Sequence, residues 1–335
     1  MKKKLIVTHQ LPGKPFSALK DRFDIVWPDG DTFGRDDLLE NLKDADAVVA
    51  VFGKPFKKEM IEAAPKLKLI ANYGAGVDNI DLEAANREGI VVTNTPDAVT
   101  EPTAELAMGL ILDVARRISE LDRELRAGNI RNWGVMENLS TTLQGKTLGI
   151  VGLGAIGRAL ARRASAFGMN IIYHNRNRVS AETEEKLEAR YTDLENLLRN
   201  ADFVSLNMPL TPETNGMIGL SELKLMKTSA FLINTARGAV LNQTALIEVL
   251  KNREIAGAAL DVYQNEPEIP GELLKMDNVV VTPHVGSATH ETREIMSRQV
   301  VGIIDDFFQG MTGIPVVNPG VLDSDQYKSK QENTL

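Results

Sequence analysis

The 335-residue chain is 43% hydrophobic and 25% charged, and its 38 Lys and Arg against 46 Asp and Glu leave a net charge of -8. That balance excludes a general cationic surface for nucleic acid or anionic lipid, so any basic cluster needs a local reason. Zero cysteines exclude disulfides, thiolate metal sites and cysteine nucleophiles, and suit a reducing compartment.

In chain order, the start "MKKKLIVTHQLPGKP" has an apolar run of only Leu5 to Val7, too short for a signal peptide, and no later stretch approaches a membrane span. The expected location is the cytoplasm. Branched runs then alternate with amphipathic segments: "KLIVTHQ", "FDIVW", "DAVVAVF", "LKLIANY" and "IVVTN". This alternation predicts βαβ units around a parallel sheet. After "LKLIA" comes "NYGAGVDNID", where the backbone of Gly74, Ala75 and Gly76 suits a small carboxylate or serves only to reverse the chain. Phe52, Gly53 and Tyr73, at neighbouring strand ends, are candidate pocket walls.

Pro96 and Pro102 punctuate an extended link to a helix expected over 103–127. Its small-residue face suits packing on its own domain or a dimer contact, and Trp133 in "IRNWG" could anchor a partner surface. A second series follows: "TLGIVGLG", "NIIYH", "DFVSLNM", "AFLINTARG", "IAGAALDVY" and "NVVVTPH". "ADFVSLN" echoes the earlier "ADAVVAV", so two doubly wound units are expected. The long amphipathic segment "HETREIMSRQVVGIIDDFFQG" returns the chain to the first unit. The expected division is 1–98 with 288–320 for one domain, 99–287 for the inserted one, and a disordered polar tail over 321–335.

"VGLGAIG" holds Gly152, Gly154 and Gly157 between a strand and a helix, the arrangement that lets a pyrophosphate approach backbone N–H groups at a helix N-terminus. Leu153, Ala155 and Ile156 complete that turn. An acid that would bond the adenosine ribose belongs about 20 positions on. The sequence there is "YHNRNR", with Asn175 in place of the acid and Arg176 and Arg178 beside it, a set suited to the 2′-phosphate of NADP(H). Alternatively the arginines pair with acids of the segment "RVSAETEEKLEAR".

Among four histidines, His284 in "TPHVGSAT" stands just past a strand and is the leading acid/base candidate. Arg237 in "NTARGAV" could hold a carboxylate in a fork of two bonds. "DVYQNEPE" offers Asp261, Glu266 and Glu268 as partners for the histidine, and spacing alone does not choose among them.

Over about residues 40–318 these segments, with "GLGAIGRALARRASAFGM" and "MPLTPETNGMIG", resemble the D-isomer-specific 2-hydroxyacid dehydrogenase family in order and spacing. The resemblance is nearest to its glyoxylate and hydroxypyruvate reductase branch. It implies a Rossmann-type dinucleotide domain inserted into a flavodoxin-like substrate domain. It implies Arg237, Glu266 and His284 as the catalytic set, with Glu266 chosen as the acid before Pro267. Thr103, Thr235 and Asp261 would help place the nicotinamide, and Pro209, Thr214, Ala236 and Gly286 would line the cofactor site. Phe52, Tyr73, Gly74, Ala75 and Gly76, with Arg237 and His284, would bind the substrate. The expected activity is NAD(P)-dependent reduction of a small 2-oxo acid by a homodimer, with NADP(H) favoured over NAD(H) and no metal required. The family also includes transcriptional corepressors, so a dinucleotide-sensing binding protein is the alternative.

Overall fold

A computed structural model describes residues 2–131 and 133–332, with 331 and 332 described for backbone only. The chain forms two compact units, one from Met1–Val99 with Ala288–Leu335 and the other from Thr100–Ser287.

The first unit is built on β1 (Lys3–Val7), β2 (Phe23–Val26), β3 (Ala47–Val51), β4 (Leu69–Tyr73) and β5 (Val91–Thr93), all parallel, in the order β2-β1-β3-β4-β5. This is the flavodoxin-like order, with its reversal between β1 and β3. Alternate residues of each strand face opposite layers, as a period of two requires. Leu5, Val49, Leu69 and Ala71 join one core with Met296, Val300 and Ile304 of the helix His290–Phe308. Ile6, Val48, Ile70 and Val92 join the other, against Leu42, Ile61 and Ala84. Both faces are covered, which explains why the strands read as continuous apolar runs rather than alternating ones.

The tail departs from expectation. Residues 319–332 form a 3-10 turn, Pro319–Asp323, and a helix, Asp325–Glu332. Val321 is buried, Tyr327 packs on the first core, and Lys330 Nζ donates to the Leu67 carbonyl at 3.0 Å. A polar segment is thus held by two apolar anchors and one lysine hydrogen bond; 333–335 lie outside the described residues.

The second unit carries β6 (Thr147–Val151), β7 (Asn170–His174), β8 (Ala189–Tyr191), β9 (Phe203–Leu206), β10 (Phe231–Asn234), β11 (Gly257–Leu260) and β12 (Val279–Val281). Their order is β12-β11-β10-β9-β6-β7-β8, all parallel, the Rossmann arrangement with its reversal between β6 and β9. The sequence reading missed β8. It is three residues long, at the sheet edge, and follows directly on a helix, Ala181–Leu187, whose pattern runs into it.

The helix expected over 103–127 is two helices, Thr100–Arg116 and Ile118–Arg126. Arg117 between them is left-handed, at φ 58°, and Asp113 caps the second helix by accepting from the Ser119 N–H at 2.7 Å and from its hydroxyl. The small-residue face of the first helix, Ala104, Ala107 and Ala115, packs inside its own unit against Leu160, Ala161 and Ala164. The second buries no residue.

Candidate active site

In the second unit, the turn after β6 leads into the helix Ala155–Ala166 with Gly154 at its N-cap. Gly152 is left-handed at φ 102°, and a Cβ there would lie 2.7 Å from the Met208 nitrogen. A Cβ on Gly157 would lie 2.3 Å from the Gly152 oxygen. Only glycine allows this closeness of turn, helix and the next strand. Asn175 Oδ1 accepts from the Leu153 N–H at 2.6 Å, so the residue in the acid's place braces the glycine turn.

The two arginines of "YHNRNR" part company. Arg178 makes a fork to Glu184, Nε to Oε1 and an Nη to Oε2, each at 2.7 Å, with its guanidinium 5.7 Å from the Tyr191 ring centre. Those bonds, with one from the Tyr173 hydroxyl, hold the Glu184 carboxyl down at about 2. Arg178, expected at the cofactor, is thus engaged by an acid of the following helix, the alternative that the sequence also offered. Arg176 is exposed and makes no hydrogen bond or ion pair among the described residues; the Glu213 carboxyl is lowered chiefly by its Thr211 hydrogen bond, with a smaller contribution from the Arg176 charge. The Thr214 hydroxyl is occupied within its own turn, donating to the Pro209 carbonyl at 2.7 Å and accepting from the Thr211 N–H at 2.8 Å.

At the end of β10, buried Asn234 shapes the Arg237 turn, accepting from the Ala236 N–H and donating to the Arg237 carbonyl, both at 3.0 Å. Arg237 is half-buried and donates to the Ala236 carbonyl at 2.8 Å. Past β11, Asp261 is buried and ties down the loop that carries the histidine. Its carboxylate accepts from Thr282 Oγ1 at 2.6 Å, the Val285 N–H at 2.8 Å and the Gly286 N–H at 2.9 Å. Its carbonyl accepts from the His284 N–H at 2.8 Å. These four bonds hold His284 at φ 53°, a left-handed conformation uncommon for a residue other than glycine. Burial pushes the Asp261 carboxyl up, against the pull of those same donors.

The acid that reaches the histidine is Glu266. Its Oε2 lies 2.6 Å from His284 Nδ1, and its Oε1 accepts from the Tyr263 N–H at 3.0 Å. Burial raises its carboxyl, but the His284 bond, the Tyr263 bond and the charges of His284 and Arg237 outweigh that, holding it below the ordinary value of 4.5. Glu266 carries the bond to His284 Nδ1 and Asp261 is spent on the loop backbone, so of the acids left open by spacing it is Glu266 that meets the histidine.

The residues fit a dinucleotide. Thr235 Oγ1, past β10, and Asn207 Oδ1, past neighbouring β9, are buried polar atoms without a hydrogen-bond partner among the described residues, at the carboxyl ends of strands where such a cofactor sits. At Gly286 a Cβ would stand 3.3 Å from Thr103 and 3.2 Å from Asp261, so the three backbones and side chains meet closely.

In the first unit, the turn after β4 is held by side-chain amides. Asn72 Nδ2 donates to the carbonyls of Gly74 at 3.2 Å and Gly76 at 2.8 Å, and Asn94 Nδ2 to that of Ala75 at 2.7 Å. Among the described residues, no hydrogen bond uses the N–H of Ala75 or Gly76. The Phe52 ring lies beside this turn, since a Cβ on Gly74 would be 3.0 Å from Phe52 Cβ. The Arg293 guanidinium sits 5.2 Å from the ring centre. Tyr73 is not a pocket wall. It is wholly buried, and its hydroxyl donates to the Arg293 carbonyl at 2.5 Å, pinning the end of β4 to the helix His290–Phe308. Asn72, Asn94, Asn207 and Asn234 escaped the sequence reading, although an asparagine at the carboxyl end of four strands was a visible signal.

Residues 108–286 match the D-isomer specific 2-hydroxyacid dehydrogenase NAD binding domain. Over 329 residues the chain is 48% identical to the glyoxylate reductase of Thermococcus litoralis, covering 97% of this chain and 99% of that one. A crystal structure of a glyoxylate reductase from Paecilomyes thermophila aligns with TM-score 0.86 at 35% identity, over 95% of this chain and 99% of that one. The NADPH-dependent glyoxylate/hydroxypyruvate reductase of Sinorhizobium meliloti, solved with NADP and malonate, aligns with TM-score 0.82 at 33% identity, over 95% and 97%. The chain belongs to the D-isomer-specific 2-hydroxyacid dehydrogenase family, on its glyoxylate reductase branch.

Proposed function

We propose that the protein reduces a small 2-oxo acid, glyoxylate or hydroxypyruvate, to the D-2-hydroxy acid, with NADPH favoured over NADH. The observation that carries the reading is the His284–Glu266 pair at 2.6 Å, on a loop fixed by Asp261, in the unit that holds the glycine turn. When bound, the nicotinamide supplies the hydride. His284, held through Nδ1 by the Glu266 carboxylate, donates a proton from Nε2 to the carbonyl oxygen as negative charge develops there. Glu266 fixes the tautomer and balances the imidazolium charge. Arg237 polarises the carbonyl. In the first unit the N–H groups of Ala75 and Gly76 are the donors for a substrate carboxylate.

The NADPH preference rests on Asn175 and Arg176. An asparagine does not repel a 2′-phosphate, and exposed Arg176 supplies a cation for it. The relative solved with NADP supports the same choice. More than half of the large apolar side chains exposed among the described residues fall within 118–139, with Trp133 87% exposed, which supports a homodimer formed through this segment. The absence of cysteine supports a cytoplasmic location.

The test is a rate screen over glyoxylate, hydroxypyruvate, pyruvate, 2-ketogluconate and phenylpyruvate with each cofactor. Glyoxylate or hydroxypyruvate should give the highest kcat/KM, and hydroxypyruvate should yield the D product. No turnover of any of them, or an L product, would overturn the reading. Light scattering should give about twice the 36.7 kDa chain mass.

A further inference from the structure

We infer that Asn72 and Asn94 are positioning residues for the anion turn of the first unit, fixing both the direction and the donor strength of its N–H groups. The inference rests on the reading that this turn takes the substrate carboxylate.

A peptide group is planar and trans, so the direction of each carbonyl sets that of the N–H that follows it. The Gly74 carbonyl shares a peptide with the Ala75 N–H, and it accepts from Asn72 Nδ2 at 3.2 Å and from the Thr95 N–H at 3.0 Å. The Ala75 carbonyl shares a peptide with the Gly76 N–H, and it accepts from Asn94 Nδ2 at 2.7 Å. The Gly76 carbonyl accepts from Asn72 Nδ2 at 2.8 Å. All three carbonyls of the turn are therefore tied to donors from the ends of β4 and β5. The Gly74 N–H is used as well, by the Asn72 carbonyl and by Thr95 Oγ1, each at 3.0 Å. What the turn has left to offer a ligand is the pair of donors on Ala75 and Gly76.

The bracing does two things. It prevents either peptide from turning over, which would present a carbonyl lone pair to the anion and repel it. It also polarises each peptide, because a carbonyl that accepts a hydrogen bond makes its own N–H a better donor, by roughly 10–30% per bond. The orientation of Asn72 is itself determined. Its Oδ1 accepts from Asn79 Nδ2 at 3.1 Å, and Asn79 Nδ2 also donates to the Val51 carbonyl at 3.2 Å. Reversing the Asn72 amide would set two amide nitrogens against each other and an oxygen against two carbonyls.

The test uses oxalate, a two-carboxylate stand-in for a 2-oxo acid, titrated by calorimetry into the NADPH-saturated protein and paired with steady-state rates on glyoxylate. Asn94 is half-buried and is the site to change. Asn94→Ala removes the donor, and Asn94→Asp keeps the shape while replacing the donor with a charged acceptor. We expect the oxalate Kd and the glyoxylate KM to rise about tenfold in Asn94→Ala, and further in Asn94→Asp, with kcat and NADPH affinity within about twofold of wild type. A merely structural role would instead move kcat, cofactor affinity and melting temperature together. Oxalate affinity unchanged in both variants, with native melting temperatures, would overturn the inference. The enzymatic reading fails separately, by a wild type that binds oxalate yet turns over no 2-oxo acid; the Kd comparison still decides the role of the asparagines.

Discussion

Each unit carries one glycine-bearing turn suited to an anion, and the two are built on different physics. In the second unit the turn feeds a 12-residue helix, Ala155–Ala166, so the helix's own unpaired N–H groups and dipole provide the attraction. In the first, the next helix begins only at Leu82, with Asp81 as its own cap, and the donors of the turn are set by amides reaching over from strand ends. The difference teaches that an anion site can be assembled from regular structure or from side chains that discipline irregular backbone. The helical form suits a long-lived pyrophosphate partner. The side-chain form can be tuned one residue at a time.

The strongest way to separate the two turns from the chemistry is His284→Ala, which touches neither. It should lower kcat about 100- to 10,000-fold, the range of a positioned general acid, with NADPH affinity within about twofold by fluorescence titration. A variant that keeps most of its kcat would remove His284 from that role. Next in size is the cofactor end of the comparison. The wild type should prefer NADPH over NADH by at least about tenfold in kcat/KM. Asn175→Asp should reverse that, because aspartate still accepts from the Leu153 N–H yet repels a 2′-phosphate. Arg176→Ala should erode it through the KM for NADPH, whereas Arg178→Ala should leave it untouched, since Arg178 is held by Glu184. Equal use of both cofactors by the wild type would sink this account.

Smaller effects sharpen the picture further. In Glu266→Gln the kcat for glyoxylate reduction should fall about tenfold, because His284 loses the carboxylate that fixes its tautomer and orientation. Glu266 titrates below 4.5, so its pairing contributes stability above that value and is lost only as pH falls through the lowered one. A kcat equal to that of the wild type would argue against the pair. Tyr73→Phe should cost about 1 kcal/mol in denaturant unfolding, the usual worth of a hydroxyl bond lost by a buried carbonyl. Its glyoxylate KM should match wild type; a large rise in KM would restore Tyr73 to the pocket wall.

Much of the second unit was legible because its determinants are local. The glycine spacing, the strand before it and the helix after it lie within twenty residues, and Arg237, Glu266 and His284 each follow an apolar strand. The fate of Arg178 was not legible. Pairing with Glu184 and binding a phosphate satisfy the same guanidinium, and only the path of the chain decides between them. Asn72 and Asn94 hid for a related reason, since their partners are backbone carbonyls that no residue type announces. The break at Arg117 lacks glycine or proline and depends on Asp113 capping a helix that restarts at once. The tail read as disordered because three anchors, Val321, Tyr327 and Lys330, are sparse among polar residues.

The split of the first unit sets a schedule for synthesis. Its sheet is finished at Thr93, but the helix that supplies Met296, Val300 and Ile304 to one face of that sheet lies beyond the whole of the contiguous second unit. At a translation rate of about 5–20 residues per second, the face formed by Leu5, Val49, Leu69 and Ala71 waits on the order of ten to forty seconds for its cover. During that interval the nascent chain presents an apolar sheet surface, while the second unit can close as soon as it leaves the ribosome. A chaperone that engages this protein during translation therefore meets the amino-terminal sheet first, and releases it once the residues around 304 emerge.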